Sequence, residues 1–168
     1  LPGDESIFMI ERVVIHVSDE PRRVILNMPP DPHRSSTSDH VAGRGGVFLD
    51  VKWSADSDML AFISSSRDHK SATLRLADPD TGDVRTVYNE TVATYYESGY
   101  RDPNWRVLHD REEFIWYSEQ DNWAHLYLHD LNTGALKRQL TSGNWPVLEV
   151  QQVDAESGTL YFTAAGRE

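Results

Sequence analysis

The stretch FIWYSEQDNWAHLYLHDLNTGALKRQLTSGNW, residues 114–145, decides the fold of this chain. It contains three short apolar segments with strand character, separated by turn sequences rich in Asp, Asn and Gly. An earlier part of the chain repeats its turn and strand sequences. Residues 78–82 (DPDTG) parallel residues 130–134 (DLNTG), and residues 61–64 (AFIS) parallel residues 115–118 (IWYS).

The repeat has a period of about 50 residues with four short strands in each, which is the pattern of a β-propeller blade. The expected fold class is therefore all-β, a partial β-propeller of about three four-stranded antiparallel blades arranged as an open arc. We expect the whole chain, 1–168, to be a fragment of a propeller domain. Its parts are outer strands of a partial blade at 1–30, an exposed loop at 31–46, a blade at 47–91, an inter-blade loop at 92–104, a blade at 105–142 and the start of a further blade at 147–168.

Net charge, hydrophobicity and cysteine content exclude several classes of function. A net charge of -11 without a basic cluster argues against nucleic acid as a partner. No apolar run is long enough to span a membrane, so we expect a soluble protein, and bacterial periplasm and cytoplasm both fit. The absence of cysteine excludes disulfides and a thiol nucleophile. The sequence indicates neither a cofactor nor a metal.

Three blades are too few to close a ring by pairing the first blade with the last. Open flanks of this kind expose sheet edges that can pair with another chain. The sequence therefore predicts an excised piece of a larger protein, which could form a homo-oligomer through the open propeller flanks.

Several motifs resemble one known family. These are WSAD at 53–56, WYSE at 116–119, WAHLYLHD at 123–130 and above all QLTSGNWPV at 139–147. Together they are similar to the propeller domain of the dipeptidyl peptidase IV branch of the prolyl oligopeptidase family of serine peptidases. The clear resemblance runs from residue 46 to the end.

The resemblance implies an N-terminal propeller that caps a C-terminal α/β-hydrolase domain and gates and shapes the substrate cavity. Such enzymes bind peptide N-termini and release dipeptides, often after proline. The chain itself contains no G-x-S-x-G nucleophile elbow, so we expect no catalytic residue in it. The alternative is a non-enzymatic propeller that binds a protein partner, as in the Tol system, which shares the W-S-x-D and D-x-x-T-G turns.

The family also uses a pair of glutamates to bind the substrate's ammonium group. Glu112 and Glu113 are adjacent, but they precede a strand in a different position from the family's pair, so a solvated hairpin turn is the favoured interpretation. Tyr96-Glu97 lacks a second acid, and no role is transferred to it.

The inter-blade loop VATYYESGYRDPN, residues 92–104, is the best candidate site. In the enzymes it resembles, the equivalent loop brings an aromatic residue and an arginine to the rim of the cavity, and Tyr100 and Arg101 stand where that pair would. The ring could pack on a peptide while the guanidinium holds a carbonyl or carboxylate. Alternatively, Tyr95, Tyr96 and Tyr100 cover the hydrophobic flank between blades.

Other residues have structural explanations. His125 and His129 would point to one side of a strand, but no third metal ligand has a recognisable spacing, so surface or inter-blade histidines are favoured. The five tryptophans recur at blade positions and are expected to pack between sheets. Asn89-Glu90-Thr91 fits a glycosylation sequon, which has meaning only in a secreted eukaryotic protein.

Overall fold

The protein is described by a computed structural model, which covers residues 6–32, 50–99 and 103–166. Within these ranges the only helical element is a 3₁₀ helix at His109–Arg111, so the expected all-β class is confirmed. The strands are β1 Met9–Ile10, β2 Val13–His16, β3 Arg22–Ile25, β4 Asp31–Pro32, β5 Val51–Trp53, β6 Leu60–Ser65, β7 Ser71–Ala77, β8 Val84–Thr91, β9 Arg106–Leu108, β10 Glu113–Ser118, β11 His125–Asp130, β12 Leu136–Gln139, β13 Val147–Asp154 and β14 Thr159–Ala164.

The chain divides into two compact units, Leu1–Tyr96 and Glu97–Glu168. The first contains a four-stranded antiparallel sheet in the order β5-β6-β7-β8, the hairpin β2–β3 and the pair β1–β4. The second contains a four-stranded antiparallel sheet in the order β12-β11-β10-β9 and the hairpin β13–β14. Two four-stranded meanders accompanied by hairpins are the organisation of a partial β-propeller.

The first unit is built around the packing of its hairpin on its sheet. Val14 and Leu26, which are buried, contact Leu60, Phe62 and Ala77 of the sheet. β2 and β3 pair in register across the turn at residues 18–21. The chain is interrupted between β1 and β2, where Arg12 turns its side chain inward.

The N-terminal segment is fixed by a buried charge network. The Arg12 guanidinium contacts the carboxylates of Asp31 at 3.2 Å and Asp50 at 3.1 Å, and its carbon lies 4.5 Å from the centre of the Phe62 ring. Ser64 donates a further hydrogen bond to Asp31. Asp31 was expected at the start of an exposed loop, but it is buried in β4, because this network and the pairing with β1 hold it there. Residues 33–49 of that loop lie outside the described ranges.

The second unit has its core between the sheet β9–β12 and the hairpin β13–β14. Ile115, Tyr117, Leu126 and Leu128 pack there with Val147 and Val150. All six residues of β10 and the first five of β11 are buried. Residues of both faces of these strands are therefore buried, which explains why their sequences are nearly continuous apolar runs.

The repeated turns have one shared geometry. In each, an aspartate Oδ1 accepts hydrogen bonds from the N–H groups two and three residues later, and a glycine with positive φ follows four residues after the aspartate. The three pairs are Asp78 with Gly82, Asp130 with Gly134, and Asp154 with Gly158. These backbone hydrogen bonds lower the pKa of Asp78 and Asp130, and a side-chain bond from Ser157 is the main cause for Asp154.

The tryptophans do not all pack as expected. Trp105 and Trp116 are buried, and Trp145 stacks on Phe162 with ring centres 6.1 Å apart. Trp53 and Trp123 instead expose 46% and 40% of their surface, so the prediction is wrong for these two. Trp123 lies in the β10–β11 turn, and Trp53 is the last residue of β5.

Candidate functional site

The candidate substrate-binding residues Tyr100 and Arg101 lie outside the described residues. The structure does describe the two ends of the segment that carries them. Residues 97–99 come before it and residues 103–106 follow it, all within the second unit. The residues on either side of the pair, 97–99 and 103–106, form the described part, or base, of the candidate site.

The two ends of this segment are joined by hydrogen bonds. The Glu97 carboxylate accepts the N–H groups of Ser98 at 2.9 Å and Gly99 at 3.0 Å. The N–H of Asn104 donates to the Ser98 carbonyl at 2.7 Å. These contacts bring Ser98 and Asn104, on either side of the segment, next to each other.

Asn104 anchors the base to β13. Its side chain is fully buried, its Nδ2 donates to the Leu148 carbonyl at 3.1 Å, and its Oδ1 accepts the N–H of Val150 at 2.8 Å. The β13–β14 register shifts at this part of the strand. Both ends of the amide are thus satisfied by backbone groups of β13, which fixes the side chain in one orientation.

Arg106 adds a second anchor. Its Nη1 donates to the carbonyls of Pro103 at 2.7 Å and Trp105 at 2.8 Å, and its Nη2 donates to the Val150 carbonyl at 2.8 Å. The sequence did not reveal Asn104 or Arg106, because neither belongs to a repeating pattern. The only available signal was their position directly after Pro103 at the end of a loop.

The tyrosines at the other end of the inter-blade loop belong to the first unit. Tyr95 is half exposed and stacks on His69, with ring centres 4.9 Å apart. Tyr96 is buried, and its N–H donates to the His69 carbonyl. Tyr96 is thus an interior residue of the first unit, whereas Tyr95 lies partly at its surface.

The glutamate pair is not a solvated hairpin turn. Glu112 is exposed, with a left-handed φ of 50°. Glu113 is buried, where it receives Lys137 Nζ at 2.7 Å and Arg111 Nε at 3.0 Å. The hydrogen bond from Lys137, reinforced by Arg111, lowers the pKa of Glu113. The Glu113 carboxylate is thus held in the interior by two cations, and only Glu112 has the exposure expected of a turn residue.

The histidines are interior residues rather than surface ones. His125 has its Nε2 3.0 Å from the Gly143 carbonyl and its Nδ1 3.0 Å from the Thr141 hydroxyl. The carbonyl can only accept, so Nε2 carries a proton. His129 places Nδ1 3.0 Å from the Gly134 carbonyl and stacks on Phe114, and its burial lowers its pKa. In the described parts of the chain, no three His, Asp or Glu side chains are grouped to hold a metal ion.

A cleft of about 260 Å³ lies in the second unit between β9–β12 and β13–β14. Leu128, Leu140, Leu160 and Phe162 form apolar walls, while Arg111 and Arg138 are among its charged lining residues. Glu113 and Asp154 also line the cleft, so two acids stand beside the two arginines, and the apolar walls suit an apolar side chain.

Comparison with known proteins places these features in a family. Residues 2–168 match the family model described as the dipeptidyl peptidase IV (DPP IV) N-terminal region. Dipeptidyl peptidase 4 of Arthroderma otae is 35% identical over 57 residues, which are 34% of this chain and 7% of that relative. Dipeptidyl peptidase 4 of Trichophyton rubrum is 32% identical over the same length. The chain thus matches only a small part of these curated relatives.

Solved structures share the fold. A crystal structure assigned to a dipeptidyl aminopeptidase IV of Bacteroides ovatus matches with a TM-score of 0.57 and 21% identity, over 93% of this chain and 27% of that chain. Porphyromonas gingivalis dipeptidyl peptidase 4 matches with a TM-score of 0.54 and 22% identity, over 97% of this chain and 25% of that chain. Separately, among the described residues there is no helix with the length and apolar character needed to cross a bilayer.

Proposed function

Since the chain belongs to the family of the dipeptidyl peptidase IV N-terminal region, we propose that it forms part of the wall of a substrate cavity in a dipeptidyl peptidase. In this role it gates access for peptide N-termini, while a separate α/β-hydrolase domain of the same protein releases the dipeptides. The observation that carries the proposal is the family match over residues 2–168.

Within that wall, Tyr100 and Arg101 are the proposed substrate contacts. Support comes from the described residues on either side: Asn104 and Arg106, which follow the pair, are bonded to β13, and the Asn104 N–H donates to the carbonyl of Ser98 before it. Residues on loops with a rigid base are suited to binding, because little conformational entropy remains to be lost when a ligand arrives. An arginine there would pair with a carbonyl or carboxylate of the peptide, and a tyrosine would cover an apolar side chain.

The test uses the longer protein that carries this chain, assayed on chromogenic Xaa-Pro substrates with and without a serine-directed inhibitor. Inhibitor-sensitive release of the dipeptide is expected. If no such cleavage occurs, the peptidase proposal fails and a partner-binding propeller replaces it.

The loop is tested separately in the same protein with Arg101→Ala and Tyr100→Ala. Because a rim contact acts mainly on binding, we expect KM to rise several-fold with little change in kcat. Arg23→Ala, at an exposed arginine of β3, is the matched control. Kinetics equal to those of the control would remove Tyr100 and Arg101 from the site without affecting the peptidase assignment.

A further inference from the structure

We propose that the protein forms a symmetric dimer in which β8 of one copy pairs antiparallel with β8 of another. The register places Val84 opposite Thr91 of the second copy, so the whole strand pairs with itself. Two four-stranded sheets β5–β8 thereby become one eight-stranded sheet. The proposal does not depend on the peptidase function, and it uses a different surface from the open propeller flanks.

The β8 strand forms the outer edge of a complete blade. The sheet has the order β5-β6-β7-β8, and among the described residues β8 pairs only with β7. The chain leaves β8 at Thr91 and continues to β9, so this edge is set by the order of strands within the sheet, whatever precedes or follows the sequence. Unpaired N–H and C=O groups along such an edge can pair with a strand of another chain.

The length and sequence of β8 leave this edge open to pairing. Its eight residues, VRTVYNET, include neither proline nor lysine, which commonly protect edge strands. The corresponding edge strand of the second unit, β12, has four residues, and Lys137 and Arg138 are two of them. The equivalent edges thus differ, since β12 is short and basic whereas β8 is long and carries both signs of charge.

Polar side chains of β8 are bonded to their neighbours in the sheet. Thr86 Oγ1 accepts a hydrogen bond from Arg75 Nη1 at 3.1 Å, and Asn89 Oδ1 accepts one from the Thr73 hydroxyl at 2.7 Å. Asn89 Nδ2 in turn donates to Thr91 Oγ1 at 3.1 Å. These bonds hold the three side chains over the face of the sheet rather than over its outer edge.

A β-bulge gives β8 a self-complementary pattern. Residues 85 and 90 of an ordinary strand would lie on opposite faces, because side chains alternate. In β8 one extra residue is accommodated where the β7–β8 register shifts, and Arg85 pairs with Leu76 of β7. Glu90 pairs with Ala72, which lies four residues from Leu76 and on the same face. Arg85 and Glu90 therefore share one face of the sheet.

This pattern brings opposite charges together in the dimer. A two-fold axis normal to the sheet relates the copies, and it keeps each face of β8 on the same side of the shared sheet. Arg85 of each copy then lies opposite Glu90 of the other, which gives two equivalent cross-strand ion pairs. Arg85 is exposed and Glu90 is partly exposed, so both can reach across the edge. A slip by two residues would separate both pairs, so charge selects this register.

The dimer has a defined symmetry and therefore a defined test. Both copies contribute the same strand, so the interface is isologous and leaves no β8 edge for further growth. Because one short strand from each copy makes a small interface, we expect a dissociation constant on the order of 10 μM. Sedimentation velocity of the longer protein that carries this chain should show a dimer above that concentration. If the protein sediments as a monomer at ten times that concentration, the proposal is wrong.

Charge reversal identifies the contact. Arg85→Glu places acids opposite each other in both pairs, and Glu90→Arg places arginines opposite each other. Each variant alone should raise the dissociation constant of the dimer by about tenfold or more. An equimolar mixture of the two should form heterodimers about as tightly as the wild type associates, because each acid then faces an arginine. Native mass spectrometry distinguishes heterodimers from homodimers.

The control is Arg67→Glu, at an exposed arginine of the β6–β7 turn, which should associate like the wild type. Circular dichroism establishes that each variant is folded. If a charge reversal does not fold, Arg85→Gln and Glu90→Gln remove the same ion pairs, and each should weaken the dimer severalfold. Single variants that associate as tightly as the wild type, or a mixture no tighter than the single variants, would show that β8 is not the contact.

Discussion

Asn104 and Val150 are joined by a 2.8 Å hydrogen bond between the Asn104 Oδ1 and the Val150 N–H, across 46 residues of chain. Because Nδ2 of the same side chain donates to the Leu148 carbonyl, the amide bonds the backbone of β13 as the peptide group of a neighbouring strand would. One side chain thereby fixes both the end of the inter-blade loop and the local path of β13.

Replacing Asn104 should therefore be costly. Asn104→Leu keeps a similar volume but leaves a buried N–H and a buried carbonyl without these partners. We expect the free energy of unfolding to fall by about 2–4 kcal/mol, since each unsatisfied buried group costs about 1–3 kcal/mol. Urea unfolding followed by tryptophan fluorescence measures this, as four of the five tryptophans lie in the second unit.

Asn144→Leu is the matched control, because Asn144 is exposed. It should change stability by less than about 0.5 kcal/mol. Equal effects of the two substitutions would mean that the Asn104 hydrogen bonds do not stabilise the unit.

The Arg12 network should be the most sensitive electrostatic feature of the first unit. Arg12→Met removes the cation between Asp31 and Asp50 while leaving both carboxylates buried. Breaking one side of a buried ion pair costs about 3–5 kcal/mol. By contrast, Arg22→Met removes a pair with Asp80 in which both side chains are largely exposed, and it should cost less than about 1 kcal/mol. Urea unfolding followed by circular dichroism compares them, and a similar loss for both would refute a special role for Arg12.

Gly82 should tolerate alanine worse than Gly166 does. Both residues have positive φ, 81° and 71°, so both substitutions carry the left-handed penalty of about 1–2 kcal/mol. A methyl group at Gly82 would also lie 2.6 Å from the Ile25 carbonyl oxygen, whereas at Gly166 it would meet nothing within 4 Å. We expect the melting temperature to drop clearly further for Gly82→Ala. Identical melting temperatures would show that β3 moves away from the added methyl group without loss of stability.

Glu113 should contribute to acid sensitivity. Lys137 and then Arg111 lower its pKa in the folded state, so its stabilising contribution is present above the unfolded-state value of about 4.3. The contribution is lost as the pH falls through the lower folded-state pKa. Glu113→Gln should thus be less stable than wild type at pH 7, and the difference should shrink as the pH falls below about 4.

Free energies of unfolding measured between neutral and acidic pH test this. Glu112→Gln changes the exposed neighbour and should leave the pH profile close to that of the wild type. If the free energies of unfolding of Glu113→Gln and wild type differed by the same amount at all pH values, the stabilisation by Glu113 would not be electrostatic.

Much of the fold was accessible from the sequence, because its signals are local. The strands at Glu113–Ser118 and Thr159–Ala164 lie in segments of alternating or continuous apolar residues that are bounded by turn residues. The aspartate–glycine turns were equally readable, because each is formed by hydrogen bonds within five residues.

The features that were missed depend on contacts between distant residues. Asp31 looks like part of a proline-rich connection, and only Arg12 and Ser64 explain its burial. Glu113 looks like a turn residue until Lys137, 24 positions later, is placed beside it. Asn104 likewise has no local pattern, because its partners belong to a strand more than 40 residues away. The substrate-binding role of Tyr100 and Arg101 remains a prediction.

The burial of β10 and β11 has a consequence for how such sequences can diverge. Twelve residues of the hairpin offer almost no solvent-facing position, since only Asp130 is partly accessible. Any replacement there must fit a filled interior or be compensated nearby. The β12 strand, with all four of its residues exposed, has no such restriction. Substitutions over generations should therefore accumulate more readily at the outer strand than in the inner hairpin.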